Sequence, residues 1–314
     1  MPSIVMEQLS KRYGSLMALD SLSLTLEGGR CVGFLGPNGA GKTTTLKLLT
    51  DLIKPTSGKA SINGYDVHTE KRRALERCGA LVETPEIYPS LTPREALSLL
   101  AEMRGIRGGE REERVKAVIE EVKMEDWMDS RIGKFSKGMK QRINIASTLL
   151  AEPEIIILDE PTSGLDPRGM AEVREMIRSL KRKNILIFMS SHLLSEVQDI
   201  CDDVAIVDHG KLLVHGPLSE VTSKFLPEGA KRTIDVQCSA SVDDALKSKV
   251  ASIEGVVSVD GGSGRMSIAF SGGSAAQAKL LEEMVKLNIG VYSFREATTS
   301  PLEETYMRLI KETL

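Results

Sequence analysis

The chain has 314 residues, 41% hydrophobic and 27% charged, with a net charge of −3. That is enough apolar material for one large or two smaller cores, and the lack of a basic excess argues against a nucleic-acid surface. No apolar run approaches the roughly 20 residues of a membrane span, Met1-Pro2-Ser3-Ile4 lacks the features of a signal peptide, and Cys31, Cys78, Cys201 and Cys238 form no Cys-x-x-Cys pair, so a reduced cytoplasmic chain without disulfides or zinc is expected.

Residues 4–9 and 21–26 alternate apolar and polar positions, as half-buried strands do. Between them lies Lys11-Arg12-Tyr13-Gly14, where Tyr13 is either a surface tyrosine beside a turn or an aromatic able to stack on a base. Residues 30–35 read as a short buried strand and 44–51 as a helix. They flank Gly36-Pro37-Asn38-Gly39-Ala40-Gly41-Lys42-Thr43-Thr44, which fits G-x-x-x-x-G-K-[ST]. In such a loop the glycines let backbone amides wrap a phosphate at a helix N-terminus. Lys42 reaches the β- and γ-phosphates, and the Thr43 hydroxyl is placed for Mg²⁺. Residues 59–62 and 65–67 form a hairpin about Asn63-Gly64.

Residues 78–82 are a buried strand candidate ending at Glu83, followed by a loop through 90. Thr92-Pro93-Arg94-Glu95 opens a helix with a capping box, and 110–124 is a second, charged helix. The stretch from about 84 to 150 reads as a helical insertion. Within it, Phe135-Ser136-Lys137-Gly138-Met139-Lys140-Gln141-Arg142 starts a helix capped by Ser136, which by itself is only a capped helix start.

Residues 154–160 place four apolar residues before Asp159 and Glu160, a buried strand with carboxylates at its C-terminal end, where open α/β sheets bind ligands. Asp159 can hold Mg²⁺ through water, and Glu160 can act as base on an attacking water. Asp166 and Pro167 start a helix over 168–181. Residues 184–189 form a further strand closed by Ser190-Ser191-His192, so that His192 ends the strand after the acidic one and can meet a γ-phosphate. Residues 204–208 and 211–214 form a closing hairpin.

From about 217 the rhythm changes. Strands at 233–238, 256–259, 265–270 and 291–294, with helices at 242–253 and 275–287, give βαββαβ, the ferredoxin-like pattern. Ser300-Pro301-Leu302-Glu303 caps a last helix with Leu302, Tyr306 and Leu309 on one face.

Taken together these motifs resemble the ATP-binding subunit of an ABC transporter, of the bacitracin and drug-exporter type with a C-terminal extra domain. The resemblance implies an α/β P-loop NTPase fold of ABC type, with a mixed sheet core, an antiparallel β-subdomain and a helical subdomain at about 84–150. An ATP-binding domain over 1–221 and a small ferredoxin-like α+β domain over 222–314 are expected. By resemblance Tyr13 stacks on adenine, Gly36 to Thr44 hold ATP, Glu83 and Asp159 join Thr43 at Mg²⁺, Glu160 polarises water and His192 orients the γ-phosphate. Ser136, Lys137, Gly138, Met139 and Gln141 match the family signature, which acts on the ATP of a second subunit. Two departures stand out. Lys137 and Met139 occupy positions where glycine is common, and Glu83 stands where glutamine is usual. The implied function is ATP hydrolysis driving export through a separate membrane permease, as a dimer on the inner face of the membrane. The helical region around 83–100 is the expected docking face. The competing reading is a soluble ABC-type ATPase acting on ribosomes or DNA. It is disfavoured because the sequence has no tandem second phosphate loop, no interrupting coiled coil and no basic arm.

Overall fold

The structure, a computed structural model, describes residues 1–83, 88–225 and 232–296, together with Leu302, Tyr306 and Leu309. Residues 84–87 of the loop after Glu83, and residues 300, 301 and 303–305 of the expected terminal cap, lie outside the described residues. The chain divides into two compact units at Val221–Thr222.

The first unit opens with β1 (Ser3–Tyr13) and β2 (Leu16–Glu27), both longer than the alternation predicts. In β1 the neighbours Glu7 and Gln8 are both exposed, and Leu9 and Ser10 are both buried. The register against β2 slips at these points, and Gln8 has φ 51°. Each bulge shifts the inward–outward alternation by one residue, so a strict period of two ends before the strand does. Tyr13 therefore closes a strand at the hairpin opposite Leu16.

The buried strand β3 (Cys31–Leu35) leads to α1 (Lys42–Leu49). Strands β4 (Ser57–Ile62) and β5 (Tyr65–Asp66) turn at Asn63 and Gly64, whose φ values of 52° and 81° are those a tight two-residue hairpin needs. A short α2 (Lys71–Leu75), with no side-chain cap to announce it, precedes β6 (Cys78–Leu81). The helical insertion contains α3 (Pro93–Met103), α4 (Gly108–Glu121) and α5 (Lys137–Leu149). The capping box of α3 forms as the sequence predicts: Glu95 N–H donates to Thr92 Oγ1 at 3.2 Å, and Thr92 N–H donates to Glu95 Oε2 at 2.8 Å. Then follow β7 (Ile155–Asp159), α6 (Pro167–Lys181), β8 (Leu186–Ser191), α7 (Leu194–Ile200), β9 (Asp203–Asp208) and β10 (Lys211–Pro217).

Two sheets result. One is antiparallel, in the order β2-β1-β4-β5; the other runs β10-β9-β3-β8-β7-β6. In the second, β9 through β6 are parallel and β10 is the antiparallel edge. The strands of this parallel core read as continuous apolar runs because both faces are covered. A single apolar cluster joins the layers: Ile4, Leu9 and Leu19 from the first sheet, Leu46 and Leu49 from α1, and Phe34, Ile157 and Phe188 from the second. The phosphate-loop helix is thereby wedged between the sheets. This is the mixed-sheet core with β- and helical subdomains that the motifs imply.

The boundary falls within α8 (Leu218–Phe225), and the second unit contains β11 (Arg232–Cys238), α9 (Asp244–Ala251), β12 (Val256–Gly262), β13 (Arg265–Phe270), α10 (Ser274–Lys286) and β14 (Val291–Glu296). Its order β12-β13-β11-β14, antiparallel throughout, is the ferredoxin-like arrangement. Ile234, Val236, Met266 and Ile268 pack one sheet face against Leu246, Val250, Leu280 and Met284 of the helices.

Candidate active site: a phosphate loop facing an acidic strand end

The loop between β3 and α1 is shaped by two glycines. A Cβ on Gly36 would sit 2.3 Å from the Val207 carbonyl of β9, so no side chain fits. Gly41 takes φ 99° as the first residue before α1, which has no side-chain cap and no acid in its first turn. The amides of that turn therefore face outward uncovered by side chains, a geometry suited to an anion. Asn38 and Gly39 form the exposed tip, Ala40 is buried, and Thr43 and Thr44 are half-buried. Lys42 is 5% exposed. Its Nζ donates to the carbonyls of Gly36 at 2.7 Å and Pro37 at 3.1 Å, and lies 3.8 Å from Glu160 Oε1. Burial pushes the Lys42 pKa down, and the charges of Glu160 and Asp159 oppose it. The turn joining β9 to β10 supports the loop from outside: Gly210 N–H donates to the Ala40 carbonyl at 3.1 Å. The sequence marked that turn only as a hairpin.

At the far end of α1, Asp51 takes φ 52°, and Leu52 N–H donates to the Lys47 carbonyl at 2.9 Å, closing the helix in a left-handed cap. The Asp51 carboxylate accepts from His68 Nδ1 at 2.8 Å and Lys71 Nζ at 2.9 Å.

Asp159 and Glu160 stand at the C-terminal end of β7, as expected. Ser190 of β8 joins them: its hydroxyl donates to Asp159 Oδ1 at 2.6 Å and accepts from Glu160 N–H at 2.9 Å. Sequence reading saw Ser190 only as a strand end. Glu160 has φ 44°, an unusual left-handed backbone for a residue with a side chain. Its Oε2 lies 3.0 Å from His192 Nδ1. The structure thus gathers Lys42, Asp159, Glu160 and His192, all from strand or loop ends on one side of the parallel sheet.

Glu83 pairs with Lys47 of α1, and no hydrogen bond or ion pair among the described residues joins Glu83 or Tyr13 to Lys42, Asp159, Glu160 or His192. Glu83, at φ 59°, accepts from Lys47 Nζ at 2.5 Å. That bond, with the charges of Glu83 and Asp159, outweighs burial and pushes the Lys47 pKa up. Lys47 lies one helical turn beyond Thr43. Tyr13 is 45% exposed, and the Lys11 ammonium lies 5.1 Å from its ring centroid.

The helix start at Ser136 is separate. Ser136 Oγ accepts from Met139 N–H at 3.2 Å, so the predicted cap forms. Ser136 and Lys137 are exposed, Gly138 is buried and Met139 half-buried. Among the described residues no hydrogen bond or ion pair joins this start to Lys42 or Glu160. Gln141 is buried, and its Nε2 donates to the Pro161 carbonyl at 2.8 Å, directly after Glu160. Within its own chain it braces the acidic loop.

A family model described as ABC transporter matches residues 19–163. The bacitracin transport ATP-binding protein BcrA of Bacillus licheniformis is 46% identical over 217 residues, covering 69% of this chain and 70% of that protein. The chain belongs to the ATP-binding subunits of ABC transporters. The linearmycin resistance ATP-binding protein LnrL of Bacillus subtilis is 34% identical over 219 residues, 70% of each chain. The Nod factor export ATP-binding protein I of Burkholderia lata is 36% identical over 208 residues, 66% of this chain and 68% of that one. A solved ATP-binding subunit of an ABC transporter superposes with TM-score 0.63 at 33% identity, over 71% of this chain and 92% of its own. This ABC subunit therefore binds and hydrolyses ATP. No helix among its described residues is long and apolar enough to cross a membrane.

Proposed function

We propose that this ABC subunit powers export through a separate integral membrane permease, on the inner face of the cell membrane, as one of two ATP-binding subunits. The supporting observation is the line Lys42–Glu160–His192, in which one carboxylate stands between the phosphate-loop ammonium and an imidazole. Lys42 and the loop amides from Gly36 to Thr44 bind the phosphates, and Tyr13 stacks on the base. Thr43, Asp159 and Glu83 hold Mg²⁺; their all-oxygen donor set suits a hard cation. The ion, when bound, neutralises charge on the phosphates. Glu160 takes the proton of the attacking water, and His192 orients the terminal phosphate. The exposed helix start at Ser136, Lys137, Gly138 and Met139, braced by Gln141, meets ATP held by the second subunit.

Export is supported by the bacitracin transport, linearmycin resistance and Nod factor export roles of the relatives, and docking around 83–100 by the exposed Tyr88 and Leu99. Residues 1–221 serve as the ATP-binding domain and 222–314 as an accessory dimerisation or docking domain. The test is co-purification from detergent-solubilised membranes. Recovery of an integral membrane protein with ATP-dependent stoichiometry is expected; recovery with ribosomes or DNA would overturn the reading.

A further inference from the structure

Among the buried carboxylates that the site described above leaves unused, Glu196 is the one tied to both of its catalytic segments. Glu196 lies in the first turn of α7 and is 2% exposed. Its Oε1 accepts from the Thr162 hydroxyl at 2.6 Å, and its Oε2 accepts from the Ser191 hydroxyl at 2.6 Å. Thr162 and Ser191 are each 1% exposed. Ser191 Oγ in turn accepts from Leu193 N–H at 3.0 Å. Thr162 follows Glu160 by two residues, and Ser191 immediately precedes His192. The carboxylate therefore bridges the two segments from which Glu160 and His192 approach each other.

Burying a carboxylate is costly, and an apolar side chain of similar volume would fill the same space more cheaply. Burial pushes the Glu196 pKa up, while the two hydroxyls and the charges of Arg174 and His192 pull it down. What an apolar residue cannot supply is two directed acceptors on a helix, each aimed at a different segment. The need for such a tie is visible next door. Glu160 holds a left-handed backbone at φ 44°, which persists only where surrounding contacts over-determine it. Ser190 holds its amide from one side, and the Thr162 tie holds the following loop from the other.

We propose that Glu196 is a positioning residue for ATP hydrolysis: through Thr162 and Ser191 it clamps the Glu160 loop against the His192 strand end, keeping carboxylate and imidazole in register. This rests on the reading of Glu160 and His192 as the hydrolytic pair.

The test uses the full chain with its membrane partner and compares Glu196→Gln, Thr162→Val and Thr162→Ser with the parent. Glutamine fills the volume but removes the charge and replaces one acceptor with a donor, so one of the two hydroxyls must reverse its hydrogen bond and the clamp loses its charge-assisted grip. Glu196→Gln and Thr162→Val are each expected to lower kcat roughly tenfold, the effect of about one hydrogen bond to a charged group, with KM for ATP within about twofold of the parent. Thr162→Ser restores most of the rate. The melting temperature of Glu196→Gln does not fall, because the buried charge is gone. The two lesions combined are less than additive, since both open one clamp. An unchanged kcat in Glu196→Gln and Thr162→Val would overturn the proposal, as would a kcat that falls only in step with melting temperature and ATP affinity. Glu160→Gln is the control. If it retains hydrolysis, the underlying reading fails; if it is dead while Glu196→Gln is normal, only the clamp fails.

Discussion

Nδ1 of His192 stands 3.0 Å from Oε2 of Glu160, and Oε1 of Glu160 stands 3.8 Å from Nζ of Lys42. One carboxylate thus faces a buried ammonium on one side and an imidazole on the other. A carboxylate so placed can accept a proton from water directed at a phosphate bound by Lys42. Replacing Glu160 with glutamine keeps the shape and removes the base, so turnover is expected to fall by about 10²–10⁴-fold. Nucleotide affinity is retained or rises, because the charge opposing the phosphates is gone. Phosphate release and titration with a fluorescent ATP analogue read the two effects separately. Turnover near that of the parent would remove Glu160 from its role.

The phosphate loop is sensitive for a different reason. A Cβ on Gly36 would lie 2.3 Å from the Val207 carbonyl, which belongs to a strand of the parallel sheet and has little freedom to retreat. Gly36→Ala is expected to destabilise by about 1–3 kcal/mol, the range for overpacking a close-packed interior. It also displaces the carbonyl that accepts from Lys42, so ATP affinity falls in the same variant. Urea unfolding and nucleotide titration check both; full affinity with normal stability would contradict the geometry.

Much of this site was legible because its parts are local in sequence. The loop from Gly36 to Thr44 carries its own strand, turn and helix, and the acids at 159–160 end an unbroken apolar run. What escaped is what depends on contact between distant segments. Ser190 meets Asp159 across 31 residues, and Glu196 meets Thr162 across 34. A serine closing a strand and a glutamate on a short helix have no local feature that announces such partners. Helix α7 itself was missed because Leu193 offers no side-chain cap; the hydroxyl of Ser191, two residues earlier, receives the Leu193 amide instead. The βαββαβ tail was readable in element order, since β13 alternates cleanly and the helices between its strands carry regular apolar faces, although β12 does not alternate. β1 was cut short because its bulges reset that alternation.

Glu83 is held by Lys47 at 2.5 Å, and both side chains are open to solvent, 65% and 27% respectively. Exposed ion pairs contribute little to stability. Glu83→Gln is therefore expected to leave the melting temperature unchanged. Its effect should appear at the metal and the nucleotide, with opposite signs. A lost carboxylate charge raises the Mg²⁺ concentration needed for half-maximal hydrolysis several-fold. The same loss relieves repulsion of the phosphates, so metal-free ATP binds more tightly. A variant whose Mg²⁺ requirement matches the parent would take Glu83 out of the metal site.

Acid sensitivity has an identifiable source at the end of α1. Burial acts to raise the Asp51 pKa, but hydrogen bonds and charges from His68 and Lys71 outweigh it and hold the group below its ordinary 3.8. A carboxyl with a lower pKa folded than unfolded contributes stability that is fully present above the unfolded value and lost as pH falls through the folded one. The window therefore lies from just above the ordinary carboxylate value downward. Asp51→Asn isolates the effect, because asparagine tolerates the φ of 52° that this position requires and keeps a hydrogen-bonding side chain. In urea unfolding at stepped pH, the parent is expected to be more stable than the variant near about pH 5, with the difference shrinking steadily below about pH 4. A difference that stays constant across that interval would show that the Asp51 carboxylate does not couple folding of the phosphate-loop helix to pH.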